Sequence, residues 1–202
     1  MVGIGFLPAV LYALHDLWTG AAVPPQSEYT SADRIVRAVL AIALLVYVLH
    51  RRGGSLRTIG LTARWSDIPW ALLLLFLSRM IVVTMHVVFA DTLAPASATR
   101  VGAMDSGVLG WLMIVPSAAA EELIVRAFLM TEVAELTGSM GQAVVASVGF
   151  QALYHLYWGV PGAFLTAGTF FVSAVFYAST RRITPVILSH SLHNFWLLAR
   201  QS

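Results

Sequence analysis

Apolar runs of membrane-spanning length dominate this sequence. They fall at roughly 4–20, 35–50, 69–90, 107–136, 142–158, 162–180 and 184–200. A helix crosses the ~30 Å hydrocarbon core of a bilayer with about 20 mostly apolar residues. In lipid, each backbone N–H and C=O must be satisfied within the protein, which leaves helices or closed barrels. The runs therefore predict an all-α transmembrane bundle of about seven segments. The first is the least regular, because Pro8, His15 and Asp16 interrupt it; an interfacial or re-entrant segment is the alternative there. The run 107–136 is long, and Pro116 is expected to kink it or start a new helix.

Composition excludes water as the solvent. Of 202 residues, 58% are hydrophobic and 11% charged, where a soluble domain carries about 25% charged residues. One integral membrane domain, 1–202, is expected, with the chemistry-bearing part at about 107–200. The first 17 residues lack a basic leader and read as retained sequence. There is no cysteine, so disulfides and thiolate chemistry are excluded. All 12 basic residues are arginine. Six of them cluster in two short loops, Arg51, Arg52, Arg57 and Arg64 in one and Arg181 and Arg182 in the other. Such clustering predicts cytoplasmic loops 51–64 and 181–182 rather than a nucleic-acid surface. The loop 91–106, with Asp91, Asp105 and Arg100, is expected on the outer side.

Ionisable groups in hydrocarbon cost roughly 2.5–3.5 kcal/mol each on insertion scales, so they persist where they pair or act. Glu121, Glu122 and Arg126 lie within six residues of one spanning segment. Glu122 and Arg126 are four apart and share a helix face. Glu121 sits about 100° around the helix with no local partner, and a carboxylate in a low-dielectric site can exchange protons. A packing ion pair, with Glu121 lining a wet cavity, is the structural alternative. The turn around 137–141 joins two antiparallel segments, and equal counts from its centre set Glu122 level with His155. In the last segment His190 and Asn194 are four apart on one face, with His193 beside them. Imidazole and carboxamide both donate hydrogen bonds, as an oxyanion site needs; interhelical bonding is the alternative. Counting through turns at Val160–Pro161 and Arg182–Ile183 leaves His190 roughly eight residues, about 12 Å, from the level of His155.

Together, Glu-Glu-x-x-x-Arg at 121–126, a later His155, and His-x-x-x-Asn at 190–194 resemble the motif set of the CPBP family of intramembrane proteases, the type II CAAX prenyl endopeptidase and bacteriocin-processing group. The resemblance covers about 114–194 and includes the run from Tyr177 to His190. One position departs from it: the family's second motif is Phe-x-x-x-His, but Gln151 stands four before His155 and Phe150 one position earlier. The resemblance implies a glutamate-dependent peptidase acting on a peptide or membrane-protein substrate, in a bacterial plasma membrane. Glu121 and His155 would activate water, His190 and Asn194 would hold the oxyanion, and Glu122 and Arg126 would support them. No cofactor is implied. A zinc site of Glu121, His155 and His190 is an alternative, although no His-Glu-x-x-His signature is present. Two non-enzymatic readings also stay open. One is a scaffold or immunity protein. The other is a small transporter or relay using Arg79 and His86, seven residues apart on one face. Arg79 is otherwise expected as a counter-ion for Glu121 or Glu122, or as an anchor for a substrate carboxylate.

Overall fold

The computed structural model describes residues 2–20, 27–89 and 105–201. Every regular element among them is helical. Seven helices follow the seven apolar runs: α1 (Val2–Thr19), α2 (Glu28–Arg51), α3 (Asp67–Val88), α4 (Val108–Thr137), α5 (Met140–Tyr154), α6 (Gly159–Thr180) and α7 (Thr184–Ala199). Three stretches are long and apolar enough to cross a membrane: Asp67–Val88, Val108–Thr137 and Leu156–Thr180. The expected outer loop 91–106 lies mostly outside the described residues.

The largest boundary shift is at α2, which starts seven residues before its apolar run. A polar first turn is held there by a capping box. The Ser27 amide donates to Thr30 Oγ1 at 2.7 Å and the Thr30 amide to Ser27 Oγ at 3.4 Å, satisfying donors that a helix start leaves unpaired. Arg37 Nε donates to Asp33 one turn away at 2.7 Å.

Helix α4 does not break at Pro116; its α-helical part continues to Glu121. The backbone then widens into a π segment, Glu122–Phe128, after which the Leu129 amide reaches the carbonyl of Ile124, five residues back. π turns inside α-helices recur at functional positions. All seven residues of this one are buried.

The predicted turn between α4 and α5 is present. Gly138 takes the left-handed conformation (φ 68°), which glycine adopts without steric cost, and Ser139 Oγ caps α5 through the Gln142 amide at 3.3 Å. The next turn differs from expectation. Helix α5 stops at Tyr154, Leu156–Trp158 form a 3-10 turn, and Gly159 (φ 79°) opens α6. Val160 and Pro161 thus lie in the first turn of α6, where proline's missing N–H costs nothing.

Helix α4 packs on α2 and α7, α7 on α3, α3 on α6, and α5 on α6 and the end of α4; α1 covers α5 and the 3-10 turn. Both basic loops meet at one end of this bundle. The Ile183 amide donates to Gly60 O at 3.2 Å and Thr184 Oγ1 to Thr62 O at 2.9 Å. Tyr177 donates its hydroxyl to Ile59 O at 3.1 Å. Arg182 pairs with Asp67 and bonds Ser66 Oγ at 2.9 Å, Arg181 bonds Thr131 Oγ1 at 2.8 Å, and Arg52 pairs with Glu132. Loops 51–64 and 181–182 therefore share one side, as their common charge predicts.

Candidate active site

The π segment and the helices against it bury an ionised cluster. Glu122 is 1% exposed and Arg126 fully buried, and Arg126 Nε lies 3.3 Å from Glu122 Oε2. The pairing expected from their spacing is present. It is only part of the arrangement, because Nδ1 of His190 on α7 lies 2.9 Å from the other oxygen, Oε1 of Glu122. Against an ionised carboxylate that ring nitrogen is the donor.

Arg126 also reaches α5. Its Nη1 donates to Ser147 Oγ at 2.6 Å, and its Nη2 to Gln151 Oε1. Ser147 Oγ donates in turn to the Val125 carbonyl, in the π segment, at 2.9 Å. Ser147 and Gln151 are fully buried. A fixed guanidinium fork needs such planar acceptors when it is taken out of water. Ser147 and Gln151 are site residues that motif reading did not single out. The equal-rise count contained the second, since Gln151 and Arg126 stand equally far from the turn between Gly138 and Ser139.

Glu121 is not without a partner. The Tyr154 hydroxyl donates to its Oε2 at 3.2 Å, and Arg34 of α2 acts on it electrostatically. Glu121 is only half-buried while Glu122 is sealed. The more accessible carboxylate is thus the one that does not share its charge with Arg126.

His155, 7% exposed, ends α5. Its Nδ1 donates to the carbonyl of Gln151 at 2.8 Å, so in the neutral ring Nε2 is left as the acceptor. Four aromatic rings surround it: Tyr154, Tyr157, Trp158 and Phe170. Phe170 of α6 is the side chain between the two histidines, with centroids 5.1 Å from His155 and 6.1 Å from His190. The expected 12 Å mismatch in depth does not separate them, because the chain leaves α5 at His155 rather than turning at Val160–Pro161. The departure from Phe-x-x-x-His also gains a physical account. Gln151 serves Arg126, Phe150 packs on Tyr154 at 5.8 Å, and the ring on His155 comes from α6.

Asn194 and His193 stand one turn beyond His190, both half-buried, and neither hydrogen-bonds to the cluster. Arg79 does not pair with Glu121 or Glu122. Its guanidinium carbon lies 3.8 Å from the centre of the Trp196 ring, and the counter-ion expectation is corrected accordingly. The exposed His86 turns its Nδ1 onto its own helix, at Val82 O. A zinc ion on Glu121, His155 and His190 would require those three to converge. No three His, Asp or Glu side chains among the described residues form such a group.

The family model described as Type II CAAX prenyl endopeptidase Rce1-like matches residues 103–196. No curated protein and no solved structure gives a match. The matched stretch holds the π segment, His155, His190 and Asn194, within an all-helical integral membrane protein. Over residues 103–196, just under half of its length, the chain is similar to the type II CAAX prenyl endopeptidase Rce1-like family.

Proposed function

We propose that the protein is an intramembrane endopeptidase of a bacterial plasma membrane, with the two basic loops in the cytoplasm and all seven helices embedded in the bilayer. Its substrate is a peptide or protein that is itself membrane-associated. The observation that carries this reading is the division of labour between two adjacent carboxylates. Glu122 is committed to Arg126 and His190, while Glu121 is more accessible and accepts a hydrogen bond from the Tyr154 phenol.

In this reading Glu121 takes a proton from water as the water oxygen attacks the scissile carbonyl. His155 orients that water through its free Nε2. The developing oxyanion accepts hydrogen bonds from His190 and Asn194. Donation through His190 Nε2 requires the imidazolium, and the two carboxylates Glu121 and Glu122 together face the two cations Arg126 and His190. Collapse of the tetrahedral intermediate breaks the C–N bond, and the proton held by Glu121 passes to the leaving amine. Glu122, Arg126, Ser147 and Gln151 hold the constellation and do not touch the reacting atoms. His193 is a further candidate beside the oxyanion. The reading is metal-free. The test is a purified Glu121→Gln protein in liposomes, assayed on a fluorogenic membrane-anchored peptide. Loss of at least about a hundredfold in turnover is expected, as for general-base removal. Activity equal to wild type overturns the proposal.

A further inference from the structure

Arg79 sits where a charge is hardest to keep. It lies twelve residues into α3 and nine from the helix end, about 18 and 13 Å along the axis. The indole of Trp196 covers one face of its guanidinium, a cation–π contact. Stacking satisfies the face and leaves the in-plane donors. Arg79 Nη2 is buried with no hydrogen-bond partner, and Arg79 forms no ion pair among the described residues. A guanidinium carries five N–H donors in a planar fork that matches a carboxylate. A cavity of about 250 Å3 lined by Leu75, Arg79 and Trp196 opens beside this fork.

The surroundings repeat the same sign. Arg200 lies over the same indole, 4.7 Å from its centre, so two cations flank one ring. The site therefore asks for an anion. A lipid headgroup phosphate stays outside a hydrocarbon core ~30 Å thick, and Arg79 is more than about 13 Å from either end of its helix. An inserted peptide can carry a carboxylate to that depth.

Trp196 is six residues beyond His190 on α7, a rise of about 9 Å on a different face of the helix. We infer that Arg79, stacked on Trp196 beside Arg200, is a carboxylate-binding subsite for the substrate presented to the Glu121–His190 cluster. The carboxylate is either a free C-terminus or an Asp or Glu side chain. The inference rests on the peptidase reading for the ligand being a substrate; the binding itself does not need turnover.

The experiment is therefore a binding one, in detergent micelles, with the otherwise unaltered Glu121→Gln protein as background. The probes are N-dodecanoyl-Leu-Ala-Leu as free acid, the same peptide as C-terminal amide, and N-dodecanoyl-Leu-Ala-Glu amide. The free acid should bind about tenfold or more tighter than the first amide, the scale of a charge-assisted hydrogen bond. Arg79→Gln should abolish that difference, and Arg79→Lys, which keeps the charge, should retain part of it. Tight binding of the Glu-amide assigns the site to side-chain carboxylates as well; weak binding assigns it to a free C-terminus. Equal binding of acid and amide, discrimination that survives Arg79→Gln, or no binding by any probe overturns the inference. Full activity of Glu121→Gln together with intact acid discrimination would overturn the peptidase mechanism and leave the subsite standing.

Discussion

His190 Nδ1 lies 2.9 Å from Glu122 Oε1, while Arg126 Nε lies 3.3 Å from Oε2 of the same carboxylate. One side chain thus ties α7 to α4 and balances a fully buried guanidinium. Glu122→Ala would leave Arg126 buried and uncompensated. Breaking a buried pair by removing one partner costs about 3–5 kcal/mol. The expected outcome is a large fall in the thermal midpoint of the detergent-solubilised protein. A midpoint within a degree of wild type would remove Glu122 from this role.

Gln151 gives a sharper test, because it departs from the family pattern. Gln151→Leu deletes an acceptor of Arg126 and should cost about 1–3 kcal/mol, the penalty for an unsatisfied buried polar group. Gln151→Phe restores the spacing Phe-x-x-x-His, yet it should be the more damaging change. It sets a ring against the guanidinium in a fully buried position, adding overpacking to the lost bond. Thermal midpoints of the two variants, measured side by side, decide the order; a stabilised Phe variant would show that Gln151 does not serve Arg126.

Tyr154→Phe removes the phenol's hydrogen bond to Glu121 and leaves the ring against Phe150 and His155. A hydrogen bond to a charged group is worth about 1.5–3 kcal/mol, so turnover should change by roughly 10- to 100-fold with the fold intact. A loss confined to KM, with kcat unchanged, would place Tyr154 in substrate binding instead.

At the basic-loop end, Gly60 has φ 91°, and a Cβ there would lie 2.0 Å from the Arg181 carbonyl oxygen. Gly60→Ala should destabilise by about 1–3 kcal/mol from backbone conformation alone, and further by forcing loop 51–64 away from Arg181. Loss of protection from trypsin at Arg57 and Arg64 would report the opening. Wild-type protection would show that the loop packs differently.

The metal-free reading predicts that turnover survives exhaustive chelation in liposomes. Inactivation by chelator, reversed by a stoichiometric addition of zinc, would replace it with a metal mechanism.

The sequence by itself determined the architecture. Apolar runs of spanning length separated by charged or glycine-bearing turns admit little besides a helical bundle, since lipid offers the backbone no partner. It also determined the Glu122–Arg126 pair and, through equal rises from one turn, the adjacency of α4 and α5 at the site. These are local quantities: spacing, periodicity and the length of a helix. Only the tertiary structure decided who else joins the cluster. Phe170 lies between His155 and His190 because α5 stops at Tyr154, and nothing in the apolar run 142–158 marks that stop. The π segment at 122–128 has no residue signature, because its five-residue hydrogen bonds are held by packing on every side. Arg79 rests on Trp196 rather than on a glutamate because α3 packs against α7, a contact between segments distant in sequence. Helical periodicity shows which residues share a face, whereas the choice of facing helix is made by packing across the whole bundle.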